Sequence, residues 1–267
     1  MGISTALYNG LSGLNSYATA IAVASDNVAN ANTTAFKSNS VRFGDLVNSY
    51  YTNLSNDIER EGGGSAVVGF ATNYGQGSLT PSDNWSNVAI NGDGFFVVND
   101  GTNTYYTRDG SFNLDKDGFL VNAQGYRVQN AGADIQIATP ENYSKFRVAS
   151  DGQIWAVDNT AVPPAEVAIA AAKIDRATFT NKDGLVREGG NLYSAGPEIG
   201  NTYLASDTAS QPGIKFGDML DSTIEGSNVD LAKEMVDMII YQASFNANSK
   251  TISTNSGLLD TTVNMVR

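Results

Sequence analysis

Residues 227–267 read SNVDLAKEMVDMIIYQASFNANSKTISTNSGLLDTTVNMVR. They carry apolar side chains at Leu231, Met235, Met238, Phe245, Ile252, Leu259, Val263 and Val266. Polar Gln242, Ser249 and Ser256 fill the remaining steps of an alternating four- and three-residue spacing. That spacing lines one seam along a helix and is the pattern of a coiled coil. Ser227 stands where an N-cap is needed and Asp230 follows three residues on, which predicts a capping box that satisfies free N–H groups and places negative charge at the positive helix end. At 1.5 Å per residue such a helix spans about 60 Å, more than the core of an ordinary globular domain covers. The stretch predicts a helix that needs partners along its length, with the three polar seam positions as candidate register points in the assembled state.

The other end of the chain repeats the theme. Leu7, Leu11, Leu14, Ala18, Ile21, Ser25 and Val28 follow the same spacing, and Gly10, Gly13, Ala18 and Ala22 are small enough to let another backbone come close. Two such helices predict an antiparallel coiled-coil-like pair with the middle of the chain inserted between them.

That middle changes period. Val88–Asn91 and Phe95–Val98 are β-prone runs around Asn91-Gly92-Asp93-Gly94, a hairpin signal, and Tyr105–Thr107, Phe112 and Phe119–Val121 continue as strands punctuated by Asp-Gly turns. The fold class expected is α+β. Residues 1–35 are the N-terminal helix of a discontinuous helical domain, 36–75 a connector containing the Gly62-Gly63-Gly64 run, 76–225 an all-β outer domain and 226–267 the C-terminal helix.

Composition removes whole classes of function. With 41% hydrophobic residues the chain can build a core, and a formal charge of −12 without clustered Lys or Arg argues against binding nucleic acid. The absence of Cys and His takes away thiolate nucleophiles, Ser-His-Asp relays and most transition-metal sites. No apolar run approaches the roughly 18 residues of a spanning helix, and the N-terminus has no basic region leading an apolar segment. Asn113, Asp115, Asp117 and Gly118 imitate the opening of a calcium loop, but Gln124 stands where the bidentate Glu belongs, so a hairpin turn is expected there. Gly92-Asp93-Gly94 reads as a turn and not as a carboxylate active site. Trp85 and Trp155 are read as core aromatics before a glycan groove. No catalytic residue, cofactor, metal or small-molecule substrate is expected.

Three further runs carry a resemblance. Asn27, Asn30, Thr33, Phe36 and Lys37 form an Asn-x-x-Asn-x-x-Thr-x-x-Phe-Lys motif after the first helix. The middle contains Asn91, Gly92, Gly94, Phe95 and Phe96, then Arg108, Gly110 and Phe112. In this order they resemble the bacterial flagellar axial proteins of rod and hook, which usually carry Gly where this chain has Ala35. The resemblance implies a structural subunit that assembles with copies of itself and with adjacent axial proteins. It also implies passage through the flagellar export apparatus without a cleaved signal peptide, and location in the flagellum. Packing within and between subunits is expected at Leu7, Leu11, Leu14, Ile21, Val28, Leu231, Met235, Met238, Phe245, Ile252, Leu259 and Val263. Residues 227–236 and 263–267 look like the hook protein, whereas the short chain and long connector look like the distal rod protein. The reading adopted is a hook subunit, with distal rod as the alternative and an extracellular β-rich adhesin or glycan-binding module as a distant one.

Overall fold

The structure, a computed structural model, describes residues 3–52, 58–138, 140–160, 163–206 and 215–265. Two compact units divide the chain. One takes in residues 1–31, 38–73 and 229–267, the other 32–37 and 74–228.

The first unit holds two helices and a hairpin. Helix α1 runs over Ile3–Ala29, strands β1 (Asn39–Thr52) and β2 (Ile58–Thr72) pair antiparallel, and helix α2 runs over Leu231–Met265. The helices are antiparallel: Asn27 bonds Glu234, the Tyr17 and Tyr241 rings lie 6.3 Å apart, and Gly10 faces Ile252. The segment expected to be a connector therefore supplies long paired strands that pack on α1. Two of its glycines, Gly44 and Gly64, serve close approach. A Cβ on Gly64 would come within 2.0 Å of the Ser12 hydroxyl, and Gly64 adopts φ +94°, open to glycine at little cost. Ser16 Oγ donates to the Ser65 carbonyl at 3.0 Å and Ser65 N to Ser12 Oγ at 3.3 Å, so the helix meets the strand through small polar side chains.

The second unit is all β apart from short 3-10 turns. Its strands are β3 (Leu79–Pro81), β4 (Val88–Asn91), β5 (Phe95–Asn99), β6 (Thr104–Thr107), β7 (Asn113–Leu114), β8 (Leu120–Val121), β9 (Arg127–Asn130) and β10 (Ala133–Asp134). After these come β11 (Tyr143–Val148), β12 (Gln153–Asp158), β13 (Ala165–Lys173), β14 (Arg176–Phe179), β15 (Leu185–Gly189), β16 (Leu192–Ala195), β17 (Thr202–Leu204), β18 (Asp218–Asp221) and β19 (Thr223–Glu225). The largest sheet runs β15-β16-β6-β5-β9-β8-β7, with β14 also on β5. β5 shows why: both of its faces are buried, Phe96 and Val98 in one apolar cluster, Phe95 and Val97 in another.

The hairpin expected between β4 and β5 does not form. β4 pairs with β18 and β5 with β6, β9 and β14, so Asn91-Gly92-Asp93-Gly94 carries the chain from one sheet to another. The partner of β4 lies more than a hundred residues away, beyond the reach of local pattern. Asp115 and Gly118 do close a tight turn between β7 and β8. Trp85 stacks on Phe146 at 4.4 Å, and Arg147 lies over Trp155.

Tyr193, 1% exposed, gives this core an alkaline limit. Burial pushes its hydroxyl up to about 12, so between pH 10 and 12 the unfolded chain loses a proton that the folded one retains. The folded state then holds more protons and stability falls as pH rises, by up to about 2 to 3 kcal/mol over that window. Tyr193→Phe is expected to flatten this part of the profile, measured by denaturant melts at pH 9.5 to 11.5. An unchanged slope would assign the loss to other groups.

Candidate assembly interface

The face that α1 buries differs from the predicted seam. Gly10, Gly13, Ser16, Ala20, Ala24 and Asn27 are buried, while Leu7, Leu14, Ile21 and Val28 are half-buried and Leu11 is exposed. Small residues win the inner face because the hairpin backbone and α2 must both approach the helix axis; a Cβ on Gly13 would sit 2.8 Å from the Asn248 amide.

On α2 a half-buried stripe runs through Glu234, Met238, Tyr241, Phe245, Asn248, Ile252 and Asn255, flanked by half-buried Asp237 and Ser244. It shares Met238, Phe245 and Ile252 with the predicted seam and shifts the alternate positions by one residue, leaving Met235, Gln242, Ser249 and Ser256 exposed. Leu231, Leu259 and Val263 are exposed too, and Val266 lies outside the described residues. The helix also starts later than expected. Asp230, not Ser227, is its cap, since Asp230 Oδ1 accepts from Ala232 N at 3.0 Å and Lys233 N at 3.2 Å.

What remains uncovered is apolar. No residue among those described in α2 is buried, and Val236, Ile239, Ile240, Leu258 and Met265 are more than half exposed. Tyr8 on α1 and Phe43, Val68 and Phe70 on the hairpin extend the same character across the unit. An exposed apolar area of this breadth, carried on long helices with little core of their own, is the physical signature of a protein–protein interface.

The motif residues are spread over two nodes, one in each unit. In the helical unit, Asn27 Nδ2 donates to the Asn39 carbonyl at 2.7 Å and to Glu234 Oε1 at 3.1 Å, while its Oδ1 accepts from Asn39 N at 2.9 Å. This amide pairs with a strand backbone as another strand would and fixes α1 against α2. Asn30 folds back on the helix end, its Nδ2 donating to the Asp26 carbonyl at 2.9 Å.

In the β unit, Phe36 and Lys37 are buried. Lys37 Nζ donates to Glu225 Oε1 at 2.6 Å and to the Gly75 carbonyl at 2.8 Å. Arg108 Nη1 reaches Glu225 Oε2 at 3.3 Å, and its Nη2 donates to the Gly92 carbonyl at 2.8 Å. Burial pushes both cations below their ordinary pKa, and the Glu225 carboxylate opposes that shift in each. Phe95 lies under Arg108 at 5.3 Å, and Phe96 meets Phe112 edge-on at 5.1 Å. Asn91 is exposed and Gly94 is buried at φ +147°. Thr33 is half-buried, and its carbonyl accepts from Phe36 N at 3.4 Å. Sequence reasoning missed Glu225, because a single acid in a chain with many acids has no spacing that marks it.

Ala35 occupies a left-handed turn at φ +55° and is 1% exposed. A methyl in that conformation costs about 1 kcal/mol, and glycine would relieve it while gaining unfolded-state entropy of similar size. Ala35→Gly is therefore expected to stay within about 1 kcal/mol of the parent, whereas a β-branched Ala35→Val should cost more than about 2. Thermal melts of the two variants check this; equal Tm values for both would remove the strain argument.

Three family models match. Residues 7–37 match "Flagella basal body rod protein", 89–156 "Flagellar hook protein FlgE/F/G D1 domain" and 220–265 "Flagellar basal body rod FlgEFG protein C-terminal". The chain is 36% identical to the flagellar basal-body rod protein FlgG of Bacillus subtilis over 98% of both chains. It is 30% identical to the protein of that name from Borreliella burgdorferi, again over 98% of both. The flagellar hook protein FlgE of Borreliella burgdorferi is 36% identical over 46% of this chain and 30% of its own length.

Proposed function

We propose that this chain, which belongs to the bacterial flagellar rod and hook protein family, is a subunit of the distal rod. The observation that carries the choice is the contrast within one organism. The Borreliella burgdorferi rod protein aligns end to end, while the hook protein of the same bacterium leaves about two thirds of its length unmatched. The hook reading drawn from residues 227–236 and 263–267 gives way to the alternative, since all of these residues but the last two lie in a match, over 220–265, that the model's description ascribes to FlgE, FlgF and FlgG together.

In this role the subunit does its work by assembly. The exposed apolar faces of α1, α2 and the β1–β2 hairpin pack against copies of the same chain in a heterologous, helically repeating contact, which continues as a tube because it does not close. The chain arrives through the flagellar export apparatus and meets adjacent axial proteins at each end of its segment. Torque passes through the packed helices, with no bond made or broken. Electron microscopy of basal bodies from cells lacking the protein tests the choice. A truncated rod is expected, and a complete rod that lacks only its hook would return the assignment to the hook.

A further inference from the structure

The β unit buries three cations among its described residues, Lys37, Arg108 and Arg176, and the same late segment of chain supplies an acceptor to each of them. Glu225 gives one carboxylate oxygen to Lys37 and the other to Arg108. The Gly217 carbonyl accepts from Arg176 Nη1, which the Ser150 carbonyl also receives at 3.4 Å. Between these acceptors lie β18 and β19, which pair with β4 and β3 near the start of the unit and carry Met219 into the main core.

We propose that residues 217–225 act as a closing key, and that the β unit cannot close until this segment delivers Glu225 and the Gly217 carbonyl. Before it docks, Lys37 and Arg108 would share one buried site without the carboxylate that bonds them both. Each would be stripped of water and would repel the other, an arrangement that costs several kcal/mol at least. The cations therefore keep β3, β4 and β6 from settling prematurely around an incomplete core. Because a chain is made from its N-terminus, the unit stays open until nearly all of it exists. The usefulness of that delay to an exported subunit rests on the axial reading above; the folding claim does not.

Refolding of the full-length chain from denaturant, followed by the fluorescence of Trp85 and Trp155, tests the key. Buried ion triads replaced by apolar side chains can fold faster than their parents. Lys37→Met/Arg108→Met/Glu225→Leu is expected to refold at least tenfold faster than the parent; an unchanged rate would overturn the proposal, placing the cluster after the folding barrier. Pulse-labelled hydrogen exchange on the unaltered chain needs no variant to fold. Amides of β4 and β6 should gain protection together with those of β18 and β19, and protection of β4 and β6 first would equally overturn it.

Discussion

A chain carrying Ile239→Asp is expected to fold as the parent does and to fail to assemble. Ile239 is 66% exposed and lies off the stripe from Glu234 to Asn255 that faces α1, so a carboxylate there stays solvated in the isolated subunit. The change in helix propensity amounts to a few tenths of a kcal/mol. In the proposed tube, with these helices in its wall, the same carboxylate would be stripped of water without a partner, at a cost of several kcal/mol. Since each 1.4 kcal/mol is a factor of ten, the concentration needed for polymerisation should rise at least about 100-fold. Met238→Asp makes the contrast, because Met238 lies on the inner stripe and its loss should loosen the helix pair in the monomer itself. Circular dichroism of the monomer together with sedimentation of the polymer separates the two. Normal polymerisation by Ile239→Asp would take the outer face of α2 out of the interface.

That contrast marks how far the helices were legible in sequence. Their existence, antiparallel partnership and apolar content follow from a heptad count. The face that turns inward does not, because a seam is counted from large apolar side chains, and here the inner position belongs to the smallest ones. Gly10, Gly13 and Ser16 carry no hydrophobic signal, yet the two glycines admit α2 at Ile252 and Asn248, and Ser16 admits the hairpin backbone at Ser65. Leucines displaced in this way lie part-way to the surface, available to a second copy. Gln242, Ser249 and Ser256, expected as register points in an assembly, are exposed in the subunit, whereas Asn27 and Glu234 join the two helices within it.

The β1–β2 hairpin was hidden for a related reason. A triple glycine reads as a flexible link when side chains are the signal, whereas Gly64 belongs to a strand that rests on Ser12. In the β unit the local strands and Asp-Gly turns were readable and the pairings were not. β4 waits for β18, and the site around Lys37 waits for Glu225. Both are contacts between the opening and closing segments of the unit, and no window of sequence contains them.

Gly110→Ala is expected to be the most damaging single-methyl change in the β unit. A Cβ on Gly110 would lie 1.7 Å from the Val88 carbonyl oxygen, 2.8 Å from its carbon and 3.0 Å from the Phe96 ring. Neither neighbour has room to yield: Val88 and Phe96 are 1% and 0% exposed, and Val88 N is held by the Gly110 carbonyl at 3.0 Å. Relief requires β4 to move, which breaks that bond, pulls Val88 and Ile90 from the core and strains the pairing of Val88 with Asp221 on β18. Overpacking of an unyielding core costs about 1 to 3 kcal/mol, and loss of a strand from its place adds to it, so a total above about 4 kcal/mol is expected. Urea unfolding followed by near-ultraviolet circular dichroism measures it, and an unfolding free energy within about 1 kcal/mol of the parent would show that β4 can shift freely. The run from Thr107 to Phe112 then has a physical reading. Arg108 turns into the charge node, Gly110 lets β4 pass within bonding distance, and Phe112 enters the core, so the motif ties the charge node, β4 and the core together and leaves no position for a larger residue at its centre.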